Sequence, residues 1–245
     1  IDLYRLKSET GGVLSRTTIY SPDPKTGKQP DHIAPAVMPG ARADILTADD
    51  SCVYLRDTAF EKSGTERPDG KAHLFTLTDF LDDTWPHRSY WIFGTQCSLA
   101  TGCSGRDKNL VYGRLLVFDE SKIYGYGRSQ VHWSNQLQDG PYRMFCVSRD
   151  EGTALWQKPL KIQVRAMVLT DKVLFVAGPA LDMDGEPEAR SGNEKALLMA
   201  ISASDGTELA KYELDAAPIF DGMAAAYGRL YISMTDGSLV CMAQE

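Results

Sequence analysis

Ala196-Leu-Leu-Met-Ala-Ile-Ser-Ala-Ser-Asp-Gly-Thr-Glu-Leu209 is the stretch that decides the fold. The apolar run from Ala196 to Ala203 reads as a strand, Ser204-Asp205-Gly206-Thr207 as a turn, and Glu208 to Leu214 as the returning strand. Gly206 supplies the positive φ that such a hairpin turn needs. Pro218 to Asp221 reads as a connection, Met223 to Tyr227 as a third strand, Gly228-Arg229 as a tight turn and Leu230 to Met234 as a fourth strand. Asp236-Gly237 then turns into Ser238 to Met242.

The same order recurs upstream. Arg143 to Ser148, Asp150-Glu151-Gly152 and Thr153 to Trp156 form a strand, turn and return, followed by Arg165 to Leu169 and Val173 to Ala177. At the start, Leu3 to Leu6, Glu9-Thr10-Gly11-Gly12 and Val13 to Ile19 repeat it, followed by Ala43 to Leu46 and Cys52 to Leu55, with Pro22 to Arg42 inserted. The second copy is the least regular. Leu74 to Leu77 and Arg114 to Phe118 are strand-like, but Asp79 to Asn109 separates them. An aliphatic–aromatic pair marks each copy: Val53-Tyr54, Ile123-Tyr124, Leu174-Phe175 and Leu230-Tyr231, the aromatics lying 70, 51 and 56 residues apart.

A sheet of four strands cannot bury both faces alone, and stacking such sheets radially buries them. The expected fold is therefore all-β, a β-propeller section of about four four-stranded blades, with approximate blades 1–70, 71–130, 131–185 and 186–245. A β-helix needs a shorter period, and an immunoglobulin-like array needs units nearer ~100 residues. Both ends of the chain carry the same part of the unit, which predicts a section of a larger ring. The start at Ile1 suggests a processed chain or one cut from a longer protein.

Bulk properties exclude some classes. Of the 245 residues, 43% are hydrophobic, enough for a sizeable core, and the net charge of −7 with no dense basic face argues against nucleic acid as a partner. No apolar run reaches the length of a transmembrane segment, and no signal peptide is present in the sequence. Of the five cysteines, Cys52, Cys146 and Cys241 sit in apolar strand patterns and read as small buried hydrophobes. Cys97 and Cys103 flank a loop-like stretch; a small disulfide between them is one reading, free thiols the other. The spacing offers no second pair for a metal site.

The repeat resembles that of the pyrroloquinoline quinone-type (PQQ-like) propellers. The segments that carry the resemblance are Leu198-Met-Ala-Ile-Ser-Ala-Ser-Asp-Gly-Thr-Glu-Leu209, Met144-Phe-Cys-Val-Ser-Arg-Asp-Glu-Gly-Thr-Ala-Leu-Trp156 and, more weakly, Tyr4-Arg-Leu-Lys-Ser-Glu-Thr-Gly11. Pro218 to Tyr231 with Thr235-Asp-Gly237 is similar to the last blade of bacterial, planctomycete-type secreted proteins of this family. The resemblance covers the outer thirds of the chain and implies a fold rather than an activity, because enzymes and scaffolds share it. It places Trp156 at the repeat position where a Trp packs between blades. It also implies a periplasmic or extracellular setting.

Family enzymes hold the quinone over a Trp floor with Ca²⁺ and an Asp base. No set of residues here matches that site, and no Cys-Cys pair is present, so no cofactor is expected; PQQ and calcium are minor alternatives. The most unusual segment is Asp82-Asp-Thr-Trp-Pro-His-Arg-Ser-Tyr-Trp91. Trp85, His87, Arg88 and Tyr90 could present a polar ligand site, with aromatic stacking, an anion partner in Arg88 and a titratable imidazole. The blander reading makes Tyr90-Trp-Ile-Phe93 a buried strand, with Asp82 and Asp83 pairing Arg88. Asp182-Met-Asp184-Gly-Glu186 resembles the start of a calcium loop but lacks its downstream spacing, and reads as an acidic surface loop. Gly125-Tyr-Gly127 follows a strand, but no helix opens after it, so nucleotide binding is not supported. No catalytic residues are assigned. The expectation is a non-catalytic binding or assembly platform for a protein partner or for the rest of its own chain. The alternative is part of a quinoprotein-like oxidoreductase or a carbohydrate-active propeller enzyme.

Overall fold

The computed structural model describes residues 1–19, 25–26, 45–55, 58–67, 71–76, 91–95, 111–127, 142–181 and 196–243. Every regular element among them is a β-strand. The described residues up to 95 fall in one compact unit and those from 111 onward in a second.

In the first unit, β1 (Asp2–Leu6) and β2 (Val13–Thr18) form an antiparallel hairpin. A four-stranded sheet follows, ordered β3 (Thr47–Ala48), β4 (Cys52–Leu55), β5 (Thr58–Glu61) and β6 (Glu66–Arg67). Then β7 (His73–Thr76) pairs with β8 (Trp91–Gly94). Trp91, Ile92 and Phe93 are buried in β8, as the blander reading of that segment expects.

In the second unit, the short β9 (Val111–Gly113) precedes two complete four-stranded antiparallel sheets. The first is β10 (Leu115–Phe118), β11 (Lys122–Gly127), β12 (Arg143–Ser148) and β13 (Ala154–Pro159). The second is β14 (Ala166–Leu169), β15 (Val173–Pro179), β16 (Ala196–Ser202) and β17 (Glu208–Leu214). A third sheet contains β18 (Pro218–Ala226), β19 (Arg229–Met234) and β20 (Leu239–Ala243). The first strands of these sheets, β10, β14 and β18, are successive neighbours. Sequential up-and-down sheets that meet along their first strands are propeller blades.

The sheets divide the strands differently from the expected blades. Strands β12 and β13 join β10 and β11 in one sheet, whereas the sequence grouping placed them with β14 and β15. A period fixes the length of a repeating unit but not its starting point, and the strong Gly turns lie between the third and fourth strands. Two further differences are local. The strand that precedes Cys52–Leu55 and pairs with it is Thr47–Ala48, past the expected end at Leu46, because the tight Asp49–Ser51 turn carries the pairing up to Ala48↔Val53; Ala43 and Asp44 lie outside the described residues. Residues 218–221 belong to β18 and not to a connection; the register jumps between the pairs Pro218↔Met234 and Met223↔Ile232, so they form a bulge.

Layering explains the burial. Met144, Phe145, Cys146 and Val147 of β12 are all fully buried, so the strand is covered on both faces. The outermost strands β13 and β17 are exposed along most of their length. Leu198 and Leu214 of the second sheet pack with Leu230, Ile232 and Met234 of the third. Burying each such side chain contributes roughly 1.5–3 kcal/mol. Cys241 departs from expectation. It is exposed, because β20 alternates and its Val240 and Met242 are the side chains turned to this core.

The repeat is visible atom by atom in the turns. Lys7, Ser148 and Ser202 each donate N–H to the carbonyl five residues on and accept from the N–H four residues on. The residue at that fourth position is Gly11, Gly152 or Gly206, with φ of 68°, 65° and 74°. Trp156 links adjacent blades as expected. Its Nε1–H donates to the Ala203 carbonyl at 3.3 Å, and its ring lies where a Cβ on Gly206 would come within 2.7 Å.

Candidate functional site

Polar residues concentrate in two kinds of place. The first is the turn between the first two strands of a blade. Asp49 accepts from the Ser51 and Cys52 backbone N–H groups, both at 2.8 Å, and from the Tyr54 hydroxyl at 2.7 Å. Asp119 repeats the arrangement with Ser121, Lys122 and Tyr124. Burial opposes ionisation of both acids, but these donors prevail and hold the carboxyls below their ordinary range. Burial, and then the neighbouring carboxylate, pushes the Tyr54 and Tyr124 hydroxyls up. Two of the four marker aromatics thus owe their place to an Asp–Ser–Tyr network that fixes the turn.

The second place lies within the second unit, where the inner strands begin. Arg114 is 1% exposed and lies 5.3 Å from the centroid of the Phe220 ring. Its backbone N–H donates to the Tyr126 carbonyl at 2.8 Å. Tyr126 stacks on Tyr142 with centroids 5.1 Å apart, and its hydroxyl donates to the Ile162 carbonyl. Burial lowers the pKa of Arg114, as does the nearby charge of Arg165, while Tyr142 and Tyr126 act in the opposite direction. Asp221 lies in the bulge of β18 at φ 56°, and its N–H donates to the Arg165 carbonyl at 2.7 Å. The residue is exposed on one side, and desolvation by the protein on the other pushes its carboxyl up to about 6. The cluster thus joins three successive blades.

Trp85, His87, Arg88, Tyr90, Cys97 and Cys103 lie outside the described residues, as does the acidic loop from Asp182 to Glu188. Sequence reasoning missed Arg114, Arg165 and Asp221. A usable signal was present: each lies ten residues before a marker aromatic, Tyr124, Phe175 and Tyr231. Among the described histidines, His73 is buried, stacked on Tyr54 at 3.9 Å, and its Nδ1–H donates to the Lys71 carbonyl. The Cys146 thiol is pushed up to about 11 by burial, which makes it inert. The described residues hold no group of three or more His, Cys, Asp or Glu side chains that could bind a metal, and no helix long and apolar enough to cross a membrane.

No family model matches the chain, and no curated relative matches it. Among solved structures it is similar to BamB from Moraxella catarrhalis, at a TM-score of 0.47 and 12% identity. That alignment covers 98% of this chain and 66% of BamB.

Proposed function

We propose that this chain is a non-catalytic PQQ-like propeller section that serves as a binding and assembly platform, with another protein or the rest of its own polypeptide as partner, in the periplasm or outside the cell. The observation that carries this reading is the use made of its most distinctive polar groups. Arg114, Tyr126 and Asp221 are engaged in contacts from blade to blade, which stiffen a scaffold. The outer strands meanwhile hold large apolar side chains in water: Leu155 is 50% exposed, Leu209 57% and Tyr212 48%. A rigid framework with variable loops and exposed outer strands suits recognition.

The test is affinity capture from an envelope extract on the immobilised chain, with identification by cross-linking mass spectrometry. A specific partner should be captured, and replacing residues 22–42 or 79–89 with a Gly-Ser linker should lose it. A visible absorption spectrum taken after adding PQQ and Ca²⁺ and removing the excess by gel filtration tests the opposite case. A retained quinone band would defeat the scaffold reading in favour of the oxidoreductase.

A further inference from the structure

Strands β13 and β17 are the outer strands of adjacent blades, and a groove of about 420 Å³ runs between them. One wall comes from the end of β13 and the segment after it, with Lys158 and Lys161. The other comes from β16 and β17, with Leu197, Met199, Ile201 and Lys211. Cross-strand pairing sets this composition. Met199 lies opposite Lys211 and Ile201 opposite Glu208, so each pair shares one face of the sheet. The groove therefore has an apolar floor and a charged rim. Three lysines line it against a single acid, Glu208, in a chain whose net charge is −7. Asp205 reaches toward Lys158 from the adjoining turn, where Ser202 and Thr207 already bond to it. Lys161 and Lys211 are the rim cations away from that acid.

We infer that this inter-blade groove binds an extended acidic segment of a protein partner, with apolar side chains against the half-buried Leu160 and Leu197 above the Met199–Ile201 floor and carboxylates on the lysine rim. The argument is charge complementarity. A basic groove on an acidic molecule concentrates an acidic ligand there, while the rest of the surface repels it. The apolar floor favours a peptide over a polysaccharide, whose hydroxyls would be left without partners on it. Trp156 holds the two walls in register through Ala203, so the groove is formed before a ligand arrives. This inference rests on the partner-binding reading above and names the chemistry of the partner.

The experiment is fluorescence polarisation with the full chain and a short fluorescein-labelled peptide that alternates glutamate with leucine. Binding should saturate and should weaken roughly tenfold between low salt and about 0.3 M NaCl, as expected for exposed charges. The triple variant K158E/K161E/K211E should abolish it. Leu197→Trp, which fills the groove at unchanged charge, should weaken it roughly tenfold, since the floor and not the lysines is blocked. Circular dichroism melts of both variants confirm that they are folded. The inference is overturned by absence of saturable binding, by equal binding of a lysine–leucine peptide, by full binding to the triple variant, or by unchanged binding to a folded Leu197→Trp. Saturable heparin binding without peptide binding would overturn it in favour of a sulfated polysaccharide. If the peptide fails while envelope capture still depends on the loops, only the groove inference falls and the platform reading stands.

Discussion

Gly125→Ala should destabilise the protein, although the backbone there can accept alanine. Gly125 is not among the glycines with positive φ, so the substitution meets no conformational strain. By itself, restricting the unfolded chain would then stabilise by about 0.4–1 kcal/mol. Packing opposes this. In β11, Gly125 lies directly opposite Leu116 on one side and Phe145 on the other. The ring of Phe145 occupies the space of the missing side chain. An added Cβ would clash with its Cζ, lie 2.6 Å from its Cε2 and lie 2.7 Å from Leu116 Cδ2. Phe145 is fully buried, so its ring cannot swing outward. Overpacking of a tight core costs about 1–3 kcal/mol, which exceeds the entropic gain and leaves a net loss of roughly 1–2 kcal/mol. For a chain of this length that lowers Tm by roughly 2–8 °C. Urea titration followed by tryptophan fluorescence and circular dichroism measures the loss. The Phe145→Leu background isolates its cause. Removing the ring costs stability on its own, but Gly125→Ala should then be neutral or stabilising, a coupling of roughly 1–2 kcal/mol in the cycle. Equal losses in the two backgrounds, or a more stable single variant, would refute the reasoning. The same cycle bears on the Gly125-Tyr-Gly127 motif, whose first glycine is then explained by packing alone.

Trp156→Phe keeps an aromatic ring over Gly206 but loses the bond to Ala203; chemical denaturation should show a loss of about 0.5–1.5 kcal/mol. Asp119→Ala leaves the Ser121 and Lys122 N–H groups and the Tyr124 hydroxyl without their acceptor, and should cost about 1–3 kcal/mol at neutral pH. Its folded pKa lies below the unfolded one, so its contribution is complete above pH ~4 and is lost as pH falls through the folded value. Melts at a series of acid pH values should therefore show a shallower acid limb in the variant than in the parent. Asp221 has the opposite sign. Its folded pKa of about 6 lies above the unfolded value, so ionisation weakens the fold as pH rises between the two and the penalty is complete above pH 6. Asn tolerates the same left-handed backbone, so Asp221→Asn should raise stability at pH 8 and change little at pH 4. Equal effects at both pH values would remove burial of the carboxylate as the cause.

Most of the strand pattern of the second unit was legible because apolar runs and Gly turns carry it. Glu208 to Leu214 and Arg143 to Ser148 match their strands residue for residue. The first unit was less legible. Its β3 and β6 are two residues each, too short to leave a period, and are held by neighbours and turns. Cys241 was misread because a run such as Leu-Val-Cys-Met-Ala is uniformly apolar while its strand is covered on one face only, and burial of the second face is decided by neighbouring sheets. The bulge at 219–222 was missed for a similar reason. Pro218 to Asp221 reads as a connection, yet β18 runs through it, and the extra residues are taken up beside Arg114 and Arg165.

The same periodicity that reveals the fold also locates the polar cluster, once its phase is known. The aromatic of each marker pair lies in the second strand of a blade. Counting back ten residues crosses the hairpin and reaches the start of the first strand, where blades meet. Arg114, Arg165 and Asp221 occupy that one position in three successive blades, and Asp44 occupies it ahead of Tyr54 in the sequence. A buried charge such as Arg114 is unfavourable there unless a neighbouring blade supplies a partner. For Arg114, Phe220 of β18 is such a partner, with the guanidinium 5.3 Å from the ring centroid, while Tyr142 of its own sheet acts in the same sense. The charge of Arg114 therefore depends on correct docking of the blade that carries Phe220. It makes blade order, and not only blade formation, part of what the sequence specifies.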